Sequence, residues 1–150
     1  MKLKNDTNLP NVLVRELIRS VRPPGIEIKE VKIVNAGKHS SGSGRAYTGR
    51  GRIKVRLPRQ NNPQCRAIWK PRKAYLGMAI GNRIELLIML LAHELRHLWQ
   101  GQGKGYNGPF RVEKPKPRKG MVWGSKGRFS ERDADAYALH KIRQYRRGEL

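Results

Sequence analysis

The stretch Leu86 to Gln100, LLIMLLAHELRHLWQ, constrains this chain more than any other. Its apolar residues lie nearly all round a helix, so the helix has to be enclosed, between a sheet and other helices. His93, Glu94 and His97 are set into that apolar run. Residues advance about 100° apiece around a helix, so positions four apart differ by about 40° and both imidazoles can aim at one point. A buried cluster of this kind is costly without a partner, and a metal ion is the natural one. Asn82, with Glu85 three residues later, makes a capping-box-like start, and Gly101, Gly103 and Gly105 end the helix after Gln100.

His-Glu-x-x-His on a helix carries a specific chemistry: two imidazole ligands for zinc and a carboxylate that acts as general base on water held by the metal. Glu94 is rotated off the line joining the histidines, which suits it to the base rather than to ligation. A third ligand is sought downstream. A last helix is expected to begin at Ser130, capped by that hydroxyl with Asp133 at its third position, and to run through ERDADAYALHKIRQYRR. Glu131 and Asp135 share a face with Ala138 and Ile142, so both carboxylates turn inward and need a positive partner. A zinc ion on His93 and His97 supplies one for Glu131 and leaves a fourth position open. Asp135, one turn on, can accept from the free ring nitrogen of a ligand histidine. His140, on the same helix, is a rival third ligand.

Charge is the second constraint. The chain has 150 residues with 33 Lys and Arg against 11 Asp and Glu, a formal net charge of +22. Such a field repels itself and attracts polyanions, so nucleic acid, DNA or RNA, or an acidic protein is the expected partner. The candidate nucleic-acid contacts are Arg50, Arg52, Lys54 and Arg56 on a strand with one apolar and one basic face, and Lys104, Lys114, Lys116, Arg118 and Lys119 in a later loop. The basic half of the sheet serves equally well as an ordinary solvent face. The lone Cys65 cannot form an internal bridge, which fits a reduced, cytoplasmic setting, with nucleoid association suggested by the charge. The N-terminal MKLKNDTNLPN lacks an apolar core, and the run Leu86 to Ala92 is too short to span a bilayer, so neither secretion nor a membrane is expected. One domain, favoured as a monomer, would bury roughly two thirds of its unfolded surface.

The remaining elements follow from periodicity. Residues 10 to 22 place Val14, Leu17, Ile18 and Val21 on one helical face before Pro23-Pro24-Gly25. Ile26 to Asn35 reads as a strand whose alternation changes parity near Glu30, a bulge or bend. Residues 36 to 44, AGKHSSGSG, read as a hairpin-type connection with His39 exposed, Arg45 to Leu57 as a second strand, 58 to 63 as a turn, and Cys65 to Trp69 as a short third strand. Residues 101 to 128 form a long basic loop rich in Pro and Gly, with Tyr106, Phe110 and Trp123 interleaved among its cations. The class is α+β: a small twisted sheet, antiparallel or mixed, packed on the histidine helix and a C-terminal helix.

HELRH at 93 to 97 and ERDAD at 131 to 135 together resemble the gluzincin metallopeptidases, and most closely their small relatives, the minigluzincins and the ImmA/IrrE-like peptidases. The resemblance implies a zincin fold and a zinc endopeptidase with His93, His97 and Glu131 as ligands, Glu94 as base and Asp135 behind a ligand histidine. It also implies a polypeptide substrate lying extended along the sheet edge above the metal helix. The family commonly has Asn before its ligand Glu, where this chain has Ser130. Tyr47, Tyr106, Tyr137 and His140 are the candidates, by type alone, to stabilise the oxyanion. Two rival functions remain: a nucleic-acid-binding module with structural zinc, and a phage-type assembly protein with a vestigial site.

Overall fold

The computed structural model describes residues 1–38, 40, 42–59, 68–69, 78–104 and 128–150. Strand β1 (Lys2–Asn5) leads into helix α1 (Asn11–Val21), then β2 (Glu30–Asn35), β3 (Ser43–Tyr47), a 3-10 turn (Thr48–Arg50) and β4 (Arg52–Leu57). A two-residue pair, β5 (Ile68–Trp69) and β6 (Met78–Ala79), precedes α2 (Arg83–Trp99), which continues into one π-helical turn (Gln100–Lys104). Helix α3 (Arg128–Arg146) closes the chain. Among the described residues the architecture is α+β, with a four-stranded mixed sheet in the order β1-β2-β4-β3 and three α-helices.

The sheet is built in two ways. β1 and β2 are parallel neighbours joined through α1, and β2 is also parallel to β4. β3 is antiparallel to β4 and forms the sheet edge. Three sequence expectations are corrected here. The run Arg45 to Leu57 is not one strand, because the chain reverses at Thr48–Arg50, with Gly51 at φ +60 closing the turn in the left-handed conformation that glycine tolerates best. The hairpin therefore lies at 48–51, and β2 and β3 are not paired with each other, since β4 lies between them in the sheet. The strand expected from Ile26 begins only at Glu30, and the parity change there marks its start: Ile26 and Ile28 are buried in irregular chain, then Val31 and Ile33 in the strand.

Helix α1 buries Val14, Leu17, Ile18 and Val21, the stripe its spacing implied. Helix α2 has the inner face of β3 and β4 on one side and α1 and α3 on others, so its residues from Leu86 to Ala92 are all buried. The side chain of Asn82 caps α2 by accepting from the Glu85 amide at 2.9 Å. The Glu85 carboxylate does not close the reciprocal half of a capping box. It accepts from the Gly81 amide at 2.7 Å and from Arg146 of α3, at 2.8 Å from Nε. Helix α3 starts at Arg128, so Ser130 lies inside it and is not its cap. The expected Cys65–Trp69 strand is described only at Ile68–Trp69. No helix among the described residues is long and apolar enough to cross a membrane.

Candidate metal centre

Helices α2 and α3 pack against each other and bring the two sequence motifs together. His93 and His97, one turn apart on α2, have their Nε2 atoms 3.0 Å apart. Glu131, from the first turn of α3, places Oε2 3.2 Å from the Nε2 of His93 and Oε1 3.1 Å from that of His97. His93, His97 and Glu131 are the one group of potential ligands that converges in this way among the described residues.

The outer ring nitrogens decide what this convergence means. Nδ1 of His93 is 3.0 Å from Oδ1 of Asp135, and Nδ1 of His97 is 2.9 Å from Oε1 of Gln100. Both partners are acceptors, so each Nδ1 carries a proton, and in the neutral form of each ring the bare nitrogen is the Nε2 that faces inward. Two imidazole lone pairs and a carboxylate then face one point, which is repulsive unless a cation lies between them. Donors at about 2.0–2.1 Å from a tetrahedral ion would stand roughly 3.3 Å apart, close to the separations seen. The donor set fits a metal ion.

Electrostatics agree with that reading. Burial works against charge on His93, but Asp135 and Glu131 outweigh it and raise its pKa to about 9. His97 is shifted up as well, burial being overcome mainly by Glu131. Bonds from both histidines hold Glu131 well below the usual carboxylate range. The site thus attracts positive charge, as protons on the histidines or as a metal.

Glu94 is buried on the neighbouring face of α2, against the edge strand. A Cβ on Gly44 of β3 would lie 2.4 Å from Oε1 of Glu94, so the missing side chain there makes room for the carboxylate. The Ala46 amide donates to Glu94 and steadies its charge, whereas burial, together with the nearby Glu131, pushes the pKa up past the opposing effect of His93 and His97. A carboxylate raised in this way is a better proton acceptor than an exposed one.

A buried network behind the histidines locks the site. Arg96 of α2 grips Asp133 of α3 with Nε at 2.7 Å and a second contact at 3.0 Å, and its guanidinium stacks 3.6 Å from the centre of the Trp99 ring. Asp133, expected as a helix-capping residue, is therefore the counter-ion of a buried arginine. It also accepts from Nε2 of Gln100 at 2.8 Å, which fixes the amide so that its oxygen faces His97. The π turn is clipped in place where Gln102 and the backbone of Glu27 exchange bonds of 2.8 and 2.9 Å. Sequence reasoning did not find Gln100, although its place three residues after His97 was a usable signal. Nor did it find Gly44, which nothing in the sequence could have linked to Glu94.

The other candidates disperse. The Tyr137 hydroxyl donates to the Val21 carbonyl at 2.8 Å, so its proton is spent in the core and cannot serve an oxyanion. His140 sits further along α3 among Lys141, Arg143, Arg147 and Glu149, and it is not part of the converging group. Tyr47 of β3 lies beside Arg45 on the sheet face opposite Gly44 and Ala46. Arg50 is in the 3-10 turn, and Arg52, Lys54 and Arg56 alternate with the buried Ile53, Val55 and Leu57. Lys104 ends the π turn. Tyr106, Phe110, Lys114, Lys116, Arg118, Lys119 and Trp123, like His39 and Cys65, lie outside the described residues. Comparison with protein-family models, with curated proteins and with solved structures found no match to this chain.

Proposed function

We propose that this chain is a zinc-dependent metallopeptidase of the gluzincin type, with a zincin-like fold, that hydrolyses peptide bonds in nucleic acid-associated or acidic proteins. One observation carries the reading: the Nε2 atoms of two histidines and the Glu131 carboxylate face one point, with a separate buried carboxylate, Glu94, held alongside against the edge strand. His93, His97 and Glu131 would hold the zinc, which when bound polarises a carbonyl and acidifies water. Glu94 accepts the proton of the attacking water and returns it to the departing amine, a role favoured by its raised pKa. Asp135 and Gln100 keep each histidine in the tautomer that ligates. An extended polypeptide would add along β3, the sheet edge that also supports Glu94.

A structural zinc site normally closes with four protein ligands, and the described residues supply three in convergence. A base held beside the ligands also has no use in a structural site. Metal content measured beside peptide hydrolysis tests the proposal. Wild type should carry a single zinc and cleave an unfolded polypeptide; Glu131→Ala should lose both. Glu94→Gln should keep the metal and lose cleavage. Zinc indifferent to Glu131→Ala, or full cleavage by Glu94→Gln, would overturn the assignment.

A further inference from the structure

The sheet face turned away from α2 has a composition that neither the metal site nor the core requires. Residues alternate across each strand, so with Val31, Ile33, Ile53, Val55 and Leu57 buried inward, their neighbours stand outward. Strand register then aligns residues that are far apart in the chain. Lys4 is opposite Lys32, Lys32 opposite Lys54, and Lys54 opposite Arg45, so one cation from each of the four strands stands in a single row. The adjacent row reads Lys2, Glu30, Arg52, Tyr47, and the next carries Arg56. Glu30, in the adjacent row, is engaged by Lys4 at 3.1 Å, and the exposed Asp6 follows directly after β1; the row Lys4, Lys32, Lys54, Arg45 itself holds no acid.

Like charges directly abreast destabilise a sheet. Lys54 is flanked on both sides by cations at the strand spacing of about 4.8 Å, with no acid opposite it. A face serving only solubility would interleave the two signs. The row spans about 14 Å on a rigid backbone, and duplex DNA presents a charge about every 1.7 Å of axis, so a regular polyanion can engage the row as a whole. Among the described residues, apolar anchors of the kind that centre a protein–protein interface are nearly absent from this face, Val34 and Tyr47 being its apolar or aromatic strand side chains. Tyr47, 38% exposed, offers a surface for base stacking instead.

We propose that this outer face, centred on the row Lys4, Lys32, Lys54 and Arg45, is a nucleic-acid-binding surface that grips the phosphodiester backbone. It names the surface behind the nucleic-acid part of the functional reading, and it rests on strand register rather than on the metal site. A metal-free protein, or one with no peptidase activity, would still bind.

The test uses the full chain and fluorescent 20-mer DNA, single-stranded and duplex, over a range of salt concentrations. The triple variant Lys32→Gln, Lys54→Gln, Arg45→Gln should bind at least roughly tenfold more weakly. Its logarithmic salt dependence should flatten by roughly 2–3, since each phosphate contact contributes about 0.9 on duplex and 0.7 on single strand. The triple Arg15→Gln, Arg19→Gln, Arg143→Gln removes the same charge from exposed positions on α1 and α3, and should lose less than about threefold. Because repulsion is relieved, the sheet triple should melt no lower than wild type; should it misfold, Lys54→Gln alone should still flatten the salt slope by about 0.7–0.9. Equal losses in the two triples would reduce the effect to net charge and overturn the proposal. Poly-glutamate competing as well as DNA, with the same sensitivity to the sheet triple, would assign the face to acidic proteins and overturn it too.

Discussion

Replacing Asp133 by asparagine keeps the shape of the buried network but removes its negative charge. The Arg96 and Asp133 side chains are 1% and 2% exposed, and two contacts of 2.7 and 3.0 Å join them. Solvent can therefore do little to compensate the guanidinium once its partner is neutral, although the Trp99 ring beneath it remains. Breaking one half of a buried pair of this kind costs about 3–5 kcal/mol. A domain of this size is stable by about 5–15 kcal/mol, so roughly a fifth or more of the total is at stake. At about 2–4 °C per kcal/mol the melting temperature should fall by roughly 6–20 °C, read by circular dichroism at neutral pH. Removing both charges together, as Arg96→Met with Asp133→Leu, should recover most of that loss, because the desolvation of two ions is relieved at the same time. A loss below about 1 kcal/mol for Asp133→Asn, the scale of an exposed pair, would refute the view that this pair is sealed in the core.

Two further substitutions probe the site and its support. Gly44→Ala puts a methyl group 2.4 Å from Oε1 and 2.5 Å from Cγ of Glu94, and the flexible carboxylate is what must move. Zinc content and folding should stay near wild type while hydrolysis falls on the order of a hundredfold, the cost of displacing a catalytic group by about 1 Å; undiminished turnover would separate Glu94 from the chemistry. Glu85, buried at the start of α2, has its pKa lowered from 4.5, first by its bonds to Arg146. Its stabilisation is therefore present in full above that value and is lost as pH falls through the lowered one. Glu85→Gln should cost about 1–2 kcal/mol at pH 7, with Arg146 partly solvated, and the gap between the two melting curves should close as the medium is acidified below about pH 4. A gap that persisted in acid would mean that shape, not charge, holds this corner.

Periodicity and local chemistry were enough for α1, for α2 with its Asn82 cap, and for the convergence of His93, His97 and Glu131, because each rests on short-range rules. Helical spacing puts i and i+4 on one face, and an inward carboxylate requires a positive partner. The same reasoning misplaced the start of α3 at Ser130, since a hydroxyl followed three residues later by an acid looks the same whether the acid caps a helix or meets a buried arginine. It passed over β1, whose four residues Lys-Leu-Lys-Asn carry too little apolar signal for so short a strand. It read β3 and β4 as one strand by passing over Gly49 and Gly51, the local sign of the 3-10 turn through which the chain reverses.

What the sequence determined alone was the set of side chains able to hold a metal and the excess of positive charge. What only tertiary structure decided was which groups complete them. Gly44 makes room for Glu94 because α2 crosses the edge strand there, and Gln100 turns its oxygen to His97 because Asp133, 33 residues later, holds its nitrogen. The row of cations arises because parallel and antiparallel pairing brings residues 4, 32, 54 and 45 abreast. Such alignments depend on strand register, set by the burial of the opposite face across the whole sheet, and no local window of the chain contains that information.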